Sequence, residues 1–345
     1  MTAERSDTPP EASSDGASIK TPLYQGSTQY QHWRFSPEQL QRTRLALNDA
    51  AVAAICNTFE AESPGSSSDI QFLTSEEEHL LVKLYITKIS QLCGHFRFPE
   101  EVEATAVSYL KRFYLKNTVM DWHPKNVMLT ALFLATKTTN HPISVEAYTS
   151  NIPKTTPSDV LDLEFLVAQS LAFEFVVWHA HRALWGLWLD NLPDPPSRDV
   201  LQQAYDAALR HVRTSRITDA ELVYTPSQIA LACMSLAQPN LAAAWARSKG
   251  VEPIEAIKQM ILQDGNIPSV EVVREIDRRL KLCKNPEKVV GSTAYVAKKE
   301  KDAKEATEKR ARKAEEVRKA IEEGDPFGDE LNDEAMAIAT LDDDD

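Results

Sequence analysis

Glycine is scarce in this sequence: 10 residues in 345, about 3%, where roughly 7% is usual. Folds built on glycine turns, such as phosphate-cradling α/β enzymes and β-sandwiches, are therefore disfavoured, and helices tolerate such a composition best. The four cysteines, Cys56, Cys93, Cys233 and Cys283, stand far apart with no C-x-x-C pair. Neither a disulfide framework nor a zinc site has the spacing it needs. No apolar run reaches the roughly 18 residues of a membrane span. Met1 to Lys20 is Ser/Thr/Pro/Asp-rich and lacks the apolar stretch of a secretory signal. The expectation is a chain of the reducing cytosol or nucleus, not bound to a membrane. Basic residues are in deficit too: 38 Lys+Arg against 51 Asp+Glu, net −13. Such a balance repels phosphates and argues against a general nucleic-acid binder.

The acidity is unevenly spread. Residues 324–345 hold nine acids and no base, a solvated acidic appendage. Residues 21–297 hold 30 acids and 26 bases, nearly balanced. Between them the stretch KKEKDAKEATEKRARKAEEVRKAIEE (298–323) has 10 bases and 8 acids. It is helix-prone, with i,i+4 pairs such as Glu300–Lys304 and Glu305–Lys309 expected along it. It has almost no apolar stripe and should project from the body.

What is present is helical periodicity, with no convincing strand alternation. Ser36-Pro37 opens a helix to about Phe59, and SPGSSSD (63–69) is a loop. Thr74 with Glu77, and Ser75 with Glu78, are capping-box candidates for a helix to about Leu92. Further helices are expected at 99–116, 124–138, 144–150, 157–174, 181–191, 197–215, 225–238, 239–248, 253–263 and 268–284. Val127–Thr136 and Val160–Phe173 are apolar almost all the way round, so each is expected to be enclosed by other helices. Pro124–Ala135 aligns with Pro226–Ala237, sharing the proline, Leu129/Leu231, Leu134/Leu236 and Ala135/Ala237. That favours duplication into two tandem helical domains, far longer than solenoid repeats.

Enzyme chemistry finds no foothold. There is no G-x-G-x-x-G, no P-loop and no H-E-x-x-H, and no serine or cysteine has a base at informative spacing. His179 and His181, two positions apart, are expected on different helix faces or in a loop, and read as surface or loop histidines. The expectation is a non-catalytic protein with no cofactor and no metal.

Tandem five-helix repeats with an enclosed third helix resemble the two cyclin boxes of the cyclin family. SYLKRFYLKNTVMDWHPKNVMLTALFLATK (108–137) is similar to a first box, and TDAELVYTPSQIALA (218–232) to the second box of the cyclin that serves the CDK-activating kinase. STQYQHWRFS (27–36) resembles the same subfamily's N-terminal approach. The resemblance covers about 28–290. It implies an all-α fold of two tandem five-helix cyclin-box repeats with flanking N- and C-terminal helices. The corresponding divisions are 1–27 disordered, 28–70 N-terminal helix and linker, 71–176 first box, 177–290 second box, 291–323 charged helix and 324–345 disordered tail.

The resemblance further implies a regulatory subunit that binds and allosterically activates a cyclin-dependent kinase. Its complex would include a RING-finger assembly factor and join the TFIIH core. It would phosphorylate the activation loops of other cyclin-dependent kinases and the C-terminal domain of RNA polymerase II, in the nucleus and without direct contact to nucleic acid. The alternatives are another transcriptional cyclin of the C, K or T kind, with a different kinase, or a TFIIB-like cyclin-fold factor that binds DNA.

Matched to the family motif, Lys137 and Glu164 occupy the positions that grip the kinase. Glu164 is one of very few charges on an otherwise apolar helix, and a charge there needs a partner. Leu134 and Phe173 match interface positions and equally suit a core. The chain departs from the family in having Thr138, Thr139 and Asn140 after Lys137, where acids are common. Helix 74–92 lacks the Met-Arg-Ala-Ile-Leu substrate-docking motif. Thr8, Thr21 and Ser63, each before proline, are candidate phosphorylation sites.

Overall fold

The computed structural model describes residues 22–191 and 197–322. Thr8, Thr21 and the acidic tail 324–345 lie outside the described residues. Among those described there is no β-strand, and no helix is long and apolar enough to cross a membrane.

The helices are α1 Thr28–His32, α2 Pro37–Glu62, α3 Ser75–Phe96, α4 Glu100–Phe113, α5 Pro124–Thr138, α6 Val145–Ser150, α7 Pro157–Leu161, α8 Glu164–Ser170, α9 Ala180–Asn191, α10 Arg198–Ser215, α11 Ala220–Val223, α12 Pro226–Ala237, α13 Pro239–Lys249, α14 Glu255–Asp264, α15 Val270–Leu280 and α16 Thr293–Glu322. Local chemistry sets many of these starts. Thr74 and Glu77 exchange the reciprocal bonds of a capping box before α3. Thr156 with Asp159 caps α7, and Thr225 with Gln228 caps α12, each followed by proline at the first helical position.

By proximity the chain forms two compact units. One is drawn from residues up to Gln41, Tyr85–Phe113 and Val127–Ile267; the other from Arg42–Leu84, Tyr114–Asn126 and Pro268 onward. In the first unit, α5 is buried from Val127 to Thr136, as all-round apolarity requires. Tyr148 of α6 bonds the Leu129 carbonyl at 3.0 Å, and Thr130 bonds the Val160 carbonyl of α7 at 2.9 Å. α12 plays the same central part later, packed by α9, α10, α13 and α14 around Leu231, Cys233, Met234 and Ile257. In the second unit the Glu78 carboxylate accepts from Asn48 at 2.6 Å and from Thr118 and the Val119 amide at 2.8 Å. Burial pushes its pKa above the usual carboxylate value despite those donors.

Three expectations are corrected. The segment read as disordered through residue 27 is ordered from Pro22, because Tyr24 packs edge-on against Tyr30 and Trp178 at ring distances of 5.6 and 5.9 Å. The helix expected over 157–174 is two short helices, broken at Asp162-Leu163. It is also not enclosed: Leu161, Phe165 and Phe173 are 43%, 69% and 55% exposed. Finally, His179 does lie in the loop before α9, as one of the two alternatives had it, but it is not a surface residue, and His181 is half-buried. Their rings stack at 5.2 Å, and His179 is buried, sharing a 2.9 Å hydrogen bond with Thr105.

Candidate functional site

Thr130, through the Val160 carbonyl, fastens α7 against α5 and so fixes where α8 begins. The start of α8 then faces the end of α5, and the first residue of one meets the last turn of the other. Lys137 Nζ lies 2.5 Å from Glu164 Oε1. Each charge also complements its own helix end, the cation at a C-terminus and the carboxylate at an N-terminus. Lys137 Nζ lies 4.5 Å from the centroid of the Phe133 ring as well, a cation–π contact. The pair is held in place yet accessible, with side-chain exposures of 41% and 24%.

An aromatic surface adjoins the pair. Phe165 follows Glu164 directly, and its ring lies 6.1 Å from Phe173, which in turn meets Phe175 edge-on at 6.2 Å. Phe175 is anchored by Tyr109, whose hydroxyl donates to the Phe175 carbonyl at 2.7 Å. Of the residues expected from the sequence, Lys137, Glu164 and Phe173 are thus brought together at the surface. Leu134 is buried beneath them. Phe165 belongs to the same surface and was missed, because an apolar residue on an apolar helix reads as core.

The backbone that presents Phe173 is unusual. Ala172 and Phe173 both have left-handed φ, 53° and 57°, which costs about 1 kcal/mol or more per non-glycine residue. The Phe173 amide bonds the Ala168 carbonyl at 3.0 Å, closing the end of α8 in the manner of a Schellman motif. The next residue secures the turn: Glu174 accepts from Trp33 Nε1 at 2.6 Å and bonds His32 Nδ1 at 2.5 Å. Its carbonyl accepts from Arg112, a buried guanidinium whose carbon lies 5.0 Å from the Trp33 ring. The His32-Trp33 segment therefore braces the turn from behind.

The departure after Lys137 has a structural use. Asn140 takes a left-handed φ of 60°, and the His141 amide closes on the Thr136 carbonyl at 2.8 Å, so these residues end α5. Thr138 meanwhile bonds the Tyr109 hydroxyl at 2.9 Å. Ser63 lies exposed in the loop after α2. Among the described residues no group of His, Cys, Asp and Glu could hold a metal ion.

Comparison with known proteins places this geometry. Residues 55–176 match the cyclin N-terminal domain and residues 179–285 the cyclin C-terminal domain. Cyclin mcs2 of Schizosaccharomyces pombe is 29% identical over 305 residues, covering 84% of this chain and 94% of the relative. A chain in the structure of the CAK complex from Chaetomium thermophilum bound to ATP-gamma-S is 31% identical, with TM-score 0.70, over 77% of this chain and 90% of that chain. A chain of the yeast TFIIK (Kin28/Ccl1/Tfb3) complex is 28% identical, with TM-score 0.56, over 74% of this chain and all of that chain, 100%. With both cyclin domains matched in order, the chain belongs to the cyclin family.

Proposed function

We propose that this chain is the cyclin subunit of a CDK-activating kinase, of the cyclin H type, and that the Lys137–Glu164 pair with Phe165 and Phe173 grips the kinase. The observation that carries this reading is an ion pair set beside exposed phenylalanines. Large apolar side chains left in water next to a fixed charge pair are what a partner surface looks like before it is covered. The match to both cyclin domains and the CAK and TFIIK complexes that contain the structural neighbours support it.

The mechanism is allosteric and not catalytic. A protein kinase holds ATP productively only when its strand lysine pairs with the glutamate of its αC helix. A rigid helical surface that binds only the inward position of that helix shifts the population by its differential affinity. A near-complete switch takes about 5.5 kcal/mol. Burying two phenylalanines supplies about 3–6 kcal/mol, against which the desolvation of the ion pair counts as a cost, lessened because the pair is already assembled and loses little further side-chain entropy. In this reading the complex includes a RING-finger assembly factor and associates with the TFIIH core. It works in the nucleus, on other kinases and on the polymerase C-terminal repeats, without direct nucleic-acid contact by this subunit.

Glu164→Ala tests the assignment. Affinity for the kinase, measured by titration calorimetry, should fall by about 2–5 kcal/mol as Lys137 is left unpaired in the interface. Unchanged affinity with an intact fold would return Glu164 to the solvated surface and remove this site from the kinase contact.

A further inference from the structure

The charged helix α16 takes no part in the surface described above, yet it carries the densest basic run in the chain. Lys309-Arg310-Ala311-Arg312-Lys313 places four bases in five residues. Every residue from 301 to 319 is exposed. Such short runs of Lys and Arg are recognised by nuclear-import receptors or by nucleic acid.

The charge pairing along α16 differs from the sequence expectation, and the difference concerns this run. Glu305 sits 3.9 Å from Lys301 and not beside Lys309. Arg312 reaches Glu316 at 3.4 Å, while Lys309, Arg310 and Lys313 have no ion pair among the described residues. The run therefore stands as four positive charges of which three are unneutralised. The helix that carries them is held weakly. Its pairs Lys298–Asp302, Lys301–Glu305 and Arg312–Glu316 place the base before the acid, the less favourable order, while Glu315–Lys319 has the better one. With no apolar packing beyond its start, an exposed helix of this kind opens at little cost.

We propose that Lys309–Lys313 is a nuclear-import signal, taken up as an extended peptide in the acidic groove of an armadillo-repeat import receptor. The inference rests on the nuclear reading proposed above and gives it a physical carrier. A receptor groove takes a short cluster of basic side chains on a segment that can leave its helix, and this run supplies four in five residues. A phosphate backbone would instead favour a longer basic stripe. Here Glu305, Glu308, Glu315 and Glu316 bracket the run in a chain of net charge −13.

The test uses the full-length chain with Lys309→Ala, Arg310→Ala, Arg312→Ala and Lys313→Ala combined. A second version keeps the charge by exchanging each lysine for arginine and each arginine for lysine. Binding to a purified import receptor freed of its own autoinhibitory segment should fall by about a hundredfold in the alanine version, at roughly tenfold for every two charge-assisted hydrogen bonds removed. The charge-keeping version should stay within a few fold. In cells, a fluorescent full-length chain also carrying Glu164→Ala, to prevent entry on the kinase, should lose its nuclear enrichment only in the alanine version. Failure of the unaltered chain to bind the receptor, or equal binding by the alanine version, overturns the signal. So does an alanine effect confined to duplex DNA binding. A chain that binds the receptor but stays cytoplasmic even with its kinase overturns the nuclear reading instead.

Discussion

Acidification should unfold this protein earlier than its carboxylates alone would dictate, because of the His179–His181 stack. Burial is the main reason both imidazoles are held neutral. His179 lies well below the usual histidine value, and His181 is lowered to about 4, with Arg216 and Arg182 adding repulsion and Glu100 and Glu101 partly opposing it at His181. In the unfolded chain both take a proton near 6.5. Between 6.5 and the depressed native values the unfolded state therefore binds more protons, so stability rises with pH and is lost as pH falls through 6.5. The slope is about 1.4 kcal/mol per pH unit for each ring. Both together cost about 2.5 kcal/mol between pH 7.5 and 5.5, a large share of a marginal native stability. Glu78 acts in the opposite sense, since its raised pKa favours proton uptake by the folded form. Glu100 is held low by Arg213 and Arg216 against its desolvation and matters only below about 4.5. Urea denaturation followed by circular dichroism from pH 7.5 to 5.5 reads the slope directly. His181→Asn should lower stability at pH 7.5 but remove about half of the pH dependence. A native protein whose stability is flat over that range, or a variant with the parental slope, would refute the argument.

Three further outcomes follow from the packing. Lys111 is buried, 2.8 Å from Glu221, and donates to the Thr218 carbonyl at 2.7 Å; Lys111→Ala should cost about 3–5 kcal/mol in thermal unfolding, by stranding the Glu221 charge. Phe165→Ser, at a residue 69% exposed, should leave the melting temperature within a degree or two of the parent while weakening kinase binding at least about tenfold; equal losses in both would mean the ring is core. Removing 298–345 should leave the melting temperature and kinase affinity unaltered, because residues 301–319 bury nothing; loss of the folded state on that truncation would show that the helix is part of the body.

Much of the fold was legible because its signals are local. The capping-box candidate at Thr74 holds and opens α3 at Ser75, and the all-round apolarity of Val127–Thr136 correctly marks a buried helix. The same signal misled at Val160–Phe173. Apolar composition records that a side chain avoids water but not whether its own chain or a partner supplies the cover, so Phe165 reads as core and Phe173 suits core and interface equally. The Lys137–Glu164 contact spans 27 positions, and only the family motif connected them. The burial of His179 was equally invisible, since it depends on Thr105, 74 positions earlier. Along α16, spacing alone admitted two partners for Glu305, and geometry chose Lys301.

The paired left-handed residues at 172 and 173 divide the turn's freedom to vary. Glycine at position 172 would relieve strain and remove only a methyl group, so that substitution should be tolerated and even selected in a more stable relative. Glycine at position 173 would relieve the same strain but delete a ring from the surface proposed to meet the kinase. Two neighbours with the same backbone conformation are thus constrained differently, one by strain alone and the other by strain set against the ring it presents.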